Sequence, residues 1–95
     1  MDHQTAVFTV SGRVQGVGFR QATAAKASEL GLSGWVRNRS DGRVEGVTSG
    51  DAAALTGFQQ WLRQGPTLAR VTELQWELRP ATEAALPGSN FEVRR

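Results

Sequence analysis

The chain contains no cysteine, so disulfide staples, thiolate nucleophiles and zinc–sulfur sites are excluded, and packing alone must hold the fold. Histidine is almost absent. His3, the single one, stands near the N-terminus and reads as a solvated residue rather than a ligand or base. No apolar run approaches the roughly 20 residues that a membrane-spanning helix needs. The opening residues, Met1-Asp2-His3-Gln4-Thr5, have neither a basic n-region nor an apolar h-region, so no signal peptide is visible. A cytoplasmic protein is therefore expected, in which Asn38-Arg39-Ser40 is a glycosylation sequon by letters only. An excess of one charge is also missing. The net charge is +2, and although every basic residue but Lys26 is an arginine, they do not cluster into the face of a nucleic-acid module. Neither a nucleic acid nor a membrane is expected as a partner.

What remains is a 95-residue chain, 39% apolar, which predicts one globular domain over 1–95 with a single modest core. No repeat, low-complexity run or linker interrupts it. Alternation predicts a first strand over about Ala6–Ser11, with Phe8 and Val10 on one face and Val7 and Thr9 on the other. Phe19, Ala22, Thr23, Ala27 and Leu30 recur at helical spacing, and Gly31 is a natural stop, giving a helix over about Phe19–Leu30. A second strand, about Ser33–Arg39, puts Gly34, Val36 and Asn38 on one face. The turn letters Ser40-Asp41-Gly42 join it to a third, about Arg43–Ser49. The inward set of that third strand, Val44, Gly46 and Thr48, is poor in bulk, and Thr48 stands where an aliphatic residue is expected.

Leu55, Phe58, Trp61 and Leu62 mark a second helix over about Asp51–Gln64, ended by Gly65-Pro66. A fourth strand, about Val71–Arg79, alternates Leu74, Trp76 and Leu78 against Glu73, Gln75 and Glu77, which predicts one covered and one wet face. Residues 81–89 read as loop and Phe91-Glu92-Val93 as a short last strand. The order β-α-β-β-α-β describes two split β-α-β units. These interleave into an antiparallel sheet with both helices on one face, here with a small appended strand.

The most informative stretch is Ser11-Gly12-Arg13-Val14-Gln15-Gly16-Val17-Gly18-Phe19-Arg20, a glycine-punctuated junction between the first strand and the first helix. The first N–H groups of a helix have no intrahelical partner. Glycines let successive N–H groups converge into an anion nest, and an arginine at its rim adds a charge suited to phosphate. The stretch therefore reads as a phosphoryl pocket. It is not a P-loop, because Phe19-Arg20 stands where that motif has Lys-Ser/Thr. It is not a dinucleotide fingerprint either, because Gln21 occupies the third glycine position. Spacing alone leaves open that Gly12, Gly16 and Gly18 only shape a turn.

Gly12 through Arg20 resembles the signature loop of the acylphosphatases. Gly34-Trp35-Val36-Arg37-Asn38, with Asp41-Gly42 and Val44, resembles their second signature, and Gly65-Pro66 with Ala69 and Val71 a weaker third. The similarity spans about Phe8–Val93. It implies a ferredoxin-like α+β sandwich and a hydrolase that releases carboxylate and inorganic phosphate from small-molecule acyl phosphates. It further implies that the amides of Gln15, Gly16, Val17, Gly18, Phe19 and Arg20, with the Arg20 guanidinium, bind the phosphoryl group. Asn38 would orient the attacking water, with no metal or organic cofactor, and a monomer is expected. Gly18 stands where many members carry an aromatic, a departure that bears on loop stiffness and acyl contact rather than on these roles. Gln15 is expected to act through its amide, not its side chain.

In the interleaved topology, the first two strands are parallel and flank the third, so their C-terminal ends lie roughly 10 Å apart at one sheet edge. Amides, a guanidinium and a carboxamide offer no general base, nucleophile or metal-ligand cluster. An ordinary phosphate ester wants protonation or a metal on its leaving oxygen. An acyl phosphate instead loses a carboxylate whose acid has a pKa of about 4, so positioning and electrostatics suffice. The alternative is a non-catalytic phosphate or carbamoyl-phosphate module, as in a part of hydrogenase maturation factors to which the domain is similar. RNA-recognition motifs share the element order but need surface aromatics on the central strands, and Arg43–Thr48 has none. Trp35, Trp61 and Trp76 read as packing residues. Arg37, Arg39 and Arg43 read as a solvated basic hairpin with Asp41 as partner.

Overall fold

The computed structural model describes residues 3–79 and 90–95. Its elements are β1 (His3–Arg13), α1 (Phe19–Glu29), β2 (Ser33–Asn38), β3 (Val44–Asp51), α2 (Ala52–Gln64), β4 (Arg70–Arg79) and β5 (Phe91–Arg94). They form one sheet in the order β4-β1-β3-β2-β5. The four strands expected from the split units pair antiparallel, and β5 adds to β2 in parallel, which makes the whole sheet mixed. This is a ferredoxin-like α+β fold. The residues expected as loop over 81–89 lie outside the described residues.

Period-2 patterning sets the faces of the sheet. Ala6, Phe8 and Val10 on β1, Val36 on β2 and Val44 on β3 are fully buried, and they join Phe19 and Ala27 of α1 and Leu55, Phe58 and Leu62 of α2 in one core. The poor bulk of the β3 inward set has a reason. A Cβ on Gly46 would collide with the Phe8 ring, so β3 yields the space that the aromatic fills. Phe8 meets Phe58 edge to face at 5.7 Å, and Phe58 also contacts Trp61, Trp76 and Phe91. Thr48 is fully buried and its hydroxyl has no hydrogen-bond partner among the described residues, so it fills an aliphatic position. Helix α1 ends on a Schellman motif, with Gly31 donating to Ser28 and Leu32 to Ala27.

Three expectations need correcting. β1 runs from His3 to Arg13 rather than Ala6 to Ser11, because β3 and β4 flank it and pair its polar ends. At one of those ends Thr5 and Ser49 share a buried hydrogen bond of 2.7 Å. The covered face of β4 also stops short: Leu74 and Trp76 are half-buried but Leu78 is 55% exposed. β4 is an edge strand, and among the described residues β1 is its sole sheet neighbour. Gly12 belongs to the sheet and not to the loop. It sits in a β1 bulge with φ 122°, where a Cβ would strike the Arg70 carbonyl.

Candidate active site

The segment between β1 and α1 is pinned at both ends by apolar burial. Val14 and Phe19 are each 1% exposed, and Phe19 packs against Trp61 at 6.0 Å. Between them Gln15, Gly16, Val17 and Gly18 lie at or near the surface. Gly16 and Gly18 have φ of 77° and 75°, and a Cβ on either would meet nothing within 4 Å. Glycine is needed there for left-handed backbone rather than for space. Gly18 is the N-cap of α1, with no side-chain cap and no acidic residue in the first turn. Among the described residues, the amides of Gln15 through Arg20 donate to no protein acceptor. A run of free N–H groups thus meets the positive end of a helix dipole.

Arg20 is the second residue of α1, a locally unfavourable place for a cation. Its side chain is half-buried and its Nη1 donates to the Arg94 carbonyl at 2.8 Å. Arg94 lies beside Arg37 in the parallel β2–β5 pair, so Arg20 reaches the edge of the sheet where β2 ends. Asn38 is the last residue of β2 and pairs with Val44. It shares the helix-covered face with buried Gly34 and Val36, and its Oδ1 is buried with no hydrogen-bond partner among the described residues. An unpartnered buried acceptor is uncommon and calls for an explanation. The Gln15 side chain crosses to the same hairpin. Its Nε2 donates to the carbonyls of Arg39 at 2.8 Å and Arg43 at 2.9 Å. Loop, arginine and asparagine therefore gather at one end of the molecule.

Sequence reasoning missed two contacts in this arrangement, the Gln15 side chain and the Arg94 carbonyl. Both end on backbone carbonyls, which have no letter in the sequence. Beside Asn38 lies an open, polar pocket of about 400 Å³ lined by Arg37, Asn38, Arg39, Ser40, Glu45 and Arg95. Its cations are largely paired: Arg37 with Glu45 at 2.6 Å, and Arg39 with Asp41 at 3.0 Å and with Glu45 at 3.5 Å. Asp41 accepts the Arg43 backbone N–H at 3.1 Å. That bond, opposed by desolvation and aided by the Arg39 and Arg43 guanidiniums, holds its carboxyl below the usual carboxylate value. Trp35, on the opposite face, has the guanidiniums of Arg37 at 5.1 Å and Arg94 at 4.9 Å from its ring centroid. No group of three or more His, Asp or Glu side chains that could hold a metal occurs among the described residues.

The family model described as Acylphosphatase matches residues 6–93. The chain belongs to the acylphosphatase family. Acylphosphatase from Nitrosococcus oceani is 49% identical over 85 residues, which cover 90% of this chain and 91% of that protein. The solved acylphosphatase of Coxiella burnetii superposes with a TM-score of 0.88 at 40% identity, over 98% of this chain and 94% of its own. A part of HypF, solved in a phosphate- and nucleotide-bound form, superposes with a TM-score of 0.84 at 25% identity, over 99% of this chain but 12% of HypF. Identity and shared length both favour the acylphosphatases over HypF. The protein is a hydrolase of acyl phosphates. No helix among the described residues is long and apolar enough to cross a membrane.

Proposed function

We propose that this acylphosphatase binds the phosphoryl oxygens through the amides of Gln15, Gly16, Val17, Gly18, Phe19 and Arg20 together with the Arg20 guanidinium, and that Asn38 orients the attacking water. The observation that carries the reading is the run of amides without a protein acceptor, at a helix N-terminus, beside an arginine anchored by a carbonyl. Anions are stabilised at such a terminus by donors already in place. The unpartnered Oδ1 of Asn38 fits an acceptor for one water O–H, which leaves the oxygen lone pair free to attack in line.

In the reaction the water oxygen bonds to phosphorus while the bond from phosphorus to the acyl oxygen breaks. The carboxylate departs as the conjugate base of an acid with a pKa of about 4, so it needs no proton. The proton shed by water passes to the phosphate product or to solvent. Charge spreads over the equatorial oxygens, where the guanidinium and amides face it. The reading takes the chain as one domain that acts as a cytoplasmic monomer. Elution near 10.3 kDa on a sizing column tests the monomer.

Hydrolysis of benzoyl phosphate, followed by its ultraviolet absorbance, tests the assignment. Turnover by the wild type and its loss in Arg20→Ala is the expected result. Wild-type rates in Arg20→Ala would overturn it.

A further inference from the structure

The Gln15 side chain makes two hydrogen bonds that nothing in the proposed chemistry uses. Its Nε2 donates to the carbonyls of Arg39 and Arg43 at 2.8 and 2.9 Å, which uses both N–H groups of the carboxamide. Each carbonyl already accepts one bond inside the hairpin: Arg39 from the Gly42 amide at 3.3 Å, Arg43 from the Arg39 amide at 2.7 Å. Gln15 therefore takes the remaining lone pair of each. Both carbonyls belong to the rung next to Asn38 on the side of the hairpin tip, since Arg39 follows it in sequence and Arg43 precedes Val44, its pairing partner. Among the described residues, no other hydrogen bond joins loop 14–18 to hairpin 38–44.

We propose that Gln15 is a positioning residue whose side chain clamps the phosphate loop to the β2–β3 hairpin, setting where the Asn38 carboxamide sits relative to the loop amides. The inference rests on the roles proposed above for the loop and for Asn38. The two sides of the clamp are not equally rigid. The loop is held independently by buried Val14 and Phe19, whereas Ser40, Asp41, Gly42 and Arg43 at the hairpin tip are exposed. Losing the clamp frees the hairpin and its asparagine, and leaves the anion nest in place. Its effect belongs to the rate more than to phosphate affinity.

Gln15→Met keeps the length and removes both donors, and Gln15→Ala serves as a second variant. In the wild-type background, Gln15→Met is expected to lower kcat on the order of ten- to a hundredfold, as a misplacement of about 1 Å does. The inhibition constant of inorganic phosphate is expected to change by less than about threefold, because the nest remains. In an Asn38→Ala background the same substitution is expected to change kcat by less than about threefold, because the group it positions is gone. Asn38 side-chain amide resonances, sharp in the wild type, should broaden or split in Gln15→Met. That measurement does not depend on turnover. Equal kcat losses in the two backgrounds, or unchanged Asn38 resonances in both Gln15 variants, would overturn the clamp while leaving the acylphosphatase roles intact. A wild type that does not hydrolyse benzoyl phosphate would instead overturn those roles.

Discussion

In the proposed site Arg20 and Asn38 would stand in different relations to the bound group. Arg20 would meet the phosphoryl oxygens in the ground state and more strongly in the transition state, because the equatorial oxygens gain charge as the acyl bond breaks. Arg20→Ala is therefore expected to weaken phosphate inhibition and to lower kcat/KM by about 10²–10³, the usual result of removing one preorganised donor. Asn38 would touch the water and not the phosphoryl group. Asn38→Ala should lower kcat by a similar factor of about 10²–10³ with KM nearly unchanged. Steady-state kinetics on benzoyl phosphate separate the two, and a KM that rises in step with the loss of kcat in Asn38→Ala would count against the water-orienting role. Asp41 provides a residue-scale test of a different kind. Its folded pKa lies below its unfolded one, so its charge stabilises the fold above the unfolded value, near pH 4, and that stabilisation is lost as pH falls through the folded pKa. Asp41→Asn keeps an acceptor for the Arg43 amide and removes the charge. It is expected to lower the midpoint of urea unfolding at about pH 7 and to leave it unchanged once the pH is below the folded pKa.

Elements decide whether those residues meet. Helix α1 is N-capped by Gly18 with φ 75° and ψ 20°, and a side chain there costs about 1–2 kcal/mol in left-handed backbone. Gly18→Ala meets no steric obstacle, so the strain falls on the loop itself, and a several-fold weaker phosphate inhibition should accompany a modest loss of stability. Helix α2 contributes no group to the site but supports the sheet that does. Phe58 is fully buried among Phe8, Trp61, Trp76 and Phe91. Phe58→Ala is expected to cost about 3–5 kcal/mol in chemical unfolding, with kcat unchanged for the fraction that remains folded. The elements were largely legible because their signals are periodic: Phe8 and Val10 at period 2, Leu55, Phe58 and Leu62 at helical spacing. Their ends were less legible. His3, Gln4 and Thr5 carry no apolar pattern, and they become strand because β3 and β4 offer ladder partners. Leu78 continues the pattern of β4 but is left uncovered at the sheet edge. Gly12 reads as part of the loop and serves instead a bulge against β4, a role set by the position of the Arg70 carbonyl.

At the scale of the molecule, the site exists only in the folded state. Gln15–Arg20, Asn38 and Arg94 come from three separate parts of the chain, and β3 and β5 bring them to one edge. Arg20 and Asn38 could be read as candidates because motif letters carry them, whereas the Arg94 carbonyl and the Gln15 side-chain bonds could not, because backbone acceptors carry those. A ligand that needs all of these groups together binds the native chain and not the unfolded one, so phosphate should stabilise the whole fold by mass action. At about a hundred times its Kd, that stabilisation is about 2.7 kcal/mol. For a domain of this size it raises the melting temperature by about 10–20 °C, since each kcal/mol is worth about 4–8 °C. Chloride at matched ionic strength should not reproduce the shift, because screening acts on the exposed hairpin pairs, which are worth little. Thermal melts with increasing phosphate, for the wild type and Arg20→Ala, carry the test. A concentration-dependent rise in the wild type that is largely lost in Arg20→Ala is expected. An equal rise in both, or the same rise with chloride, would mean that phosphate acts on the protein surface and not at the gathered loop, arginine and asparagine.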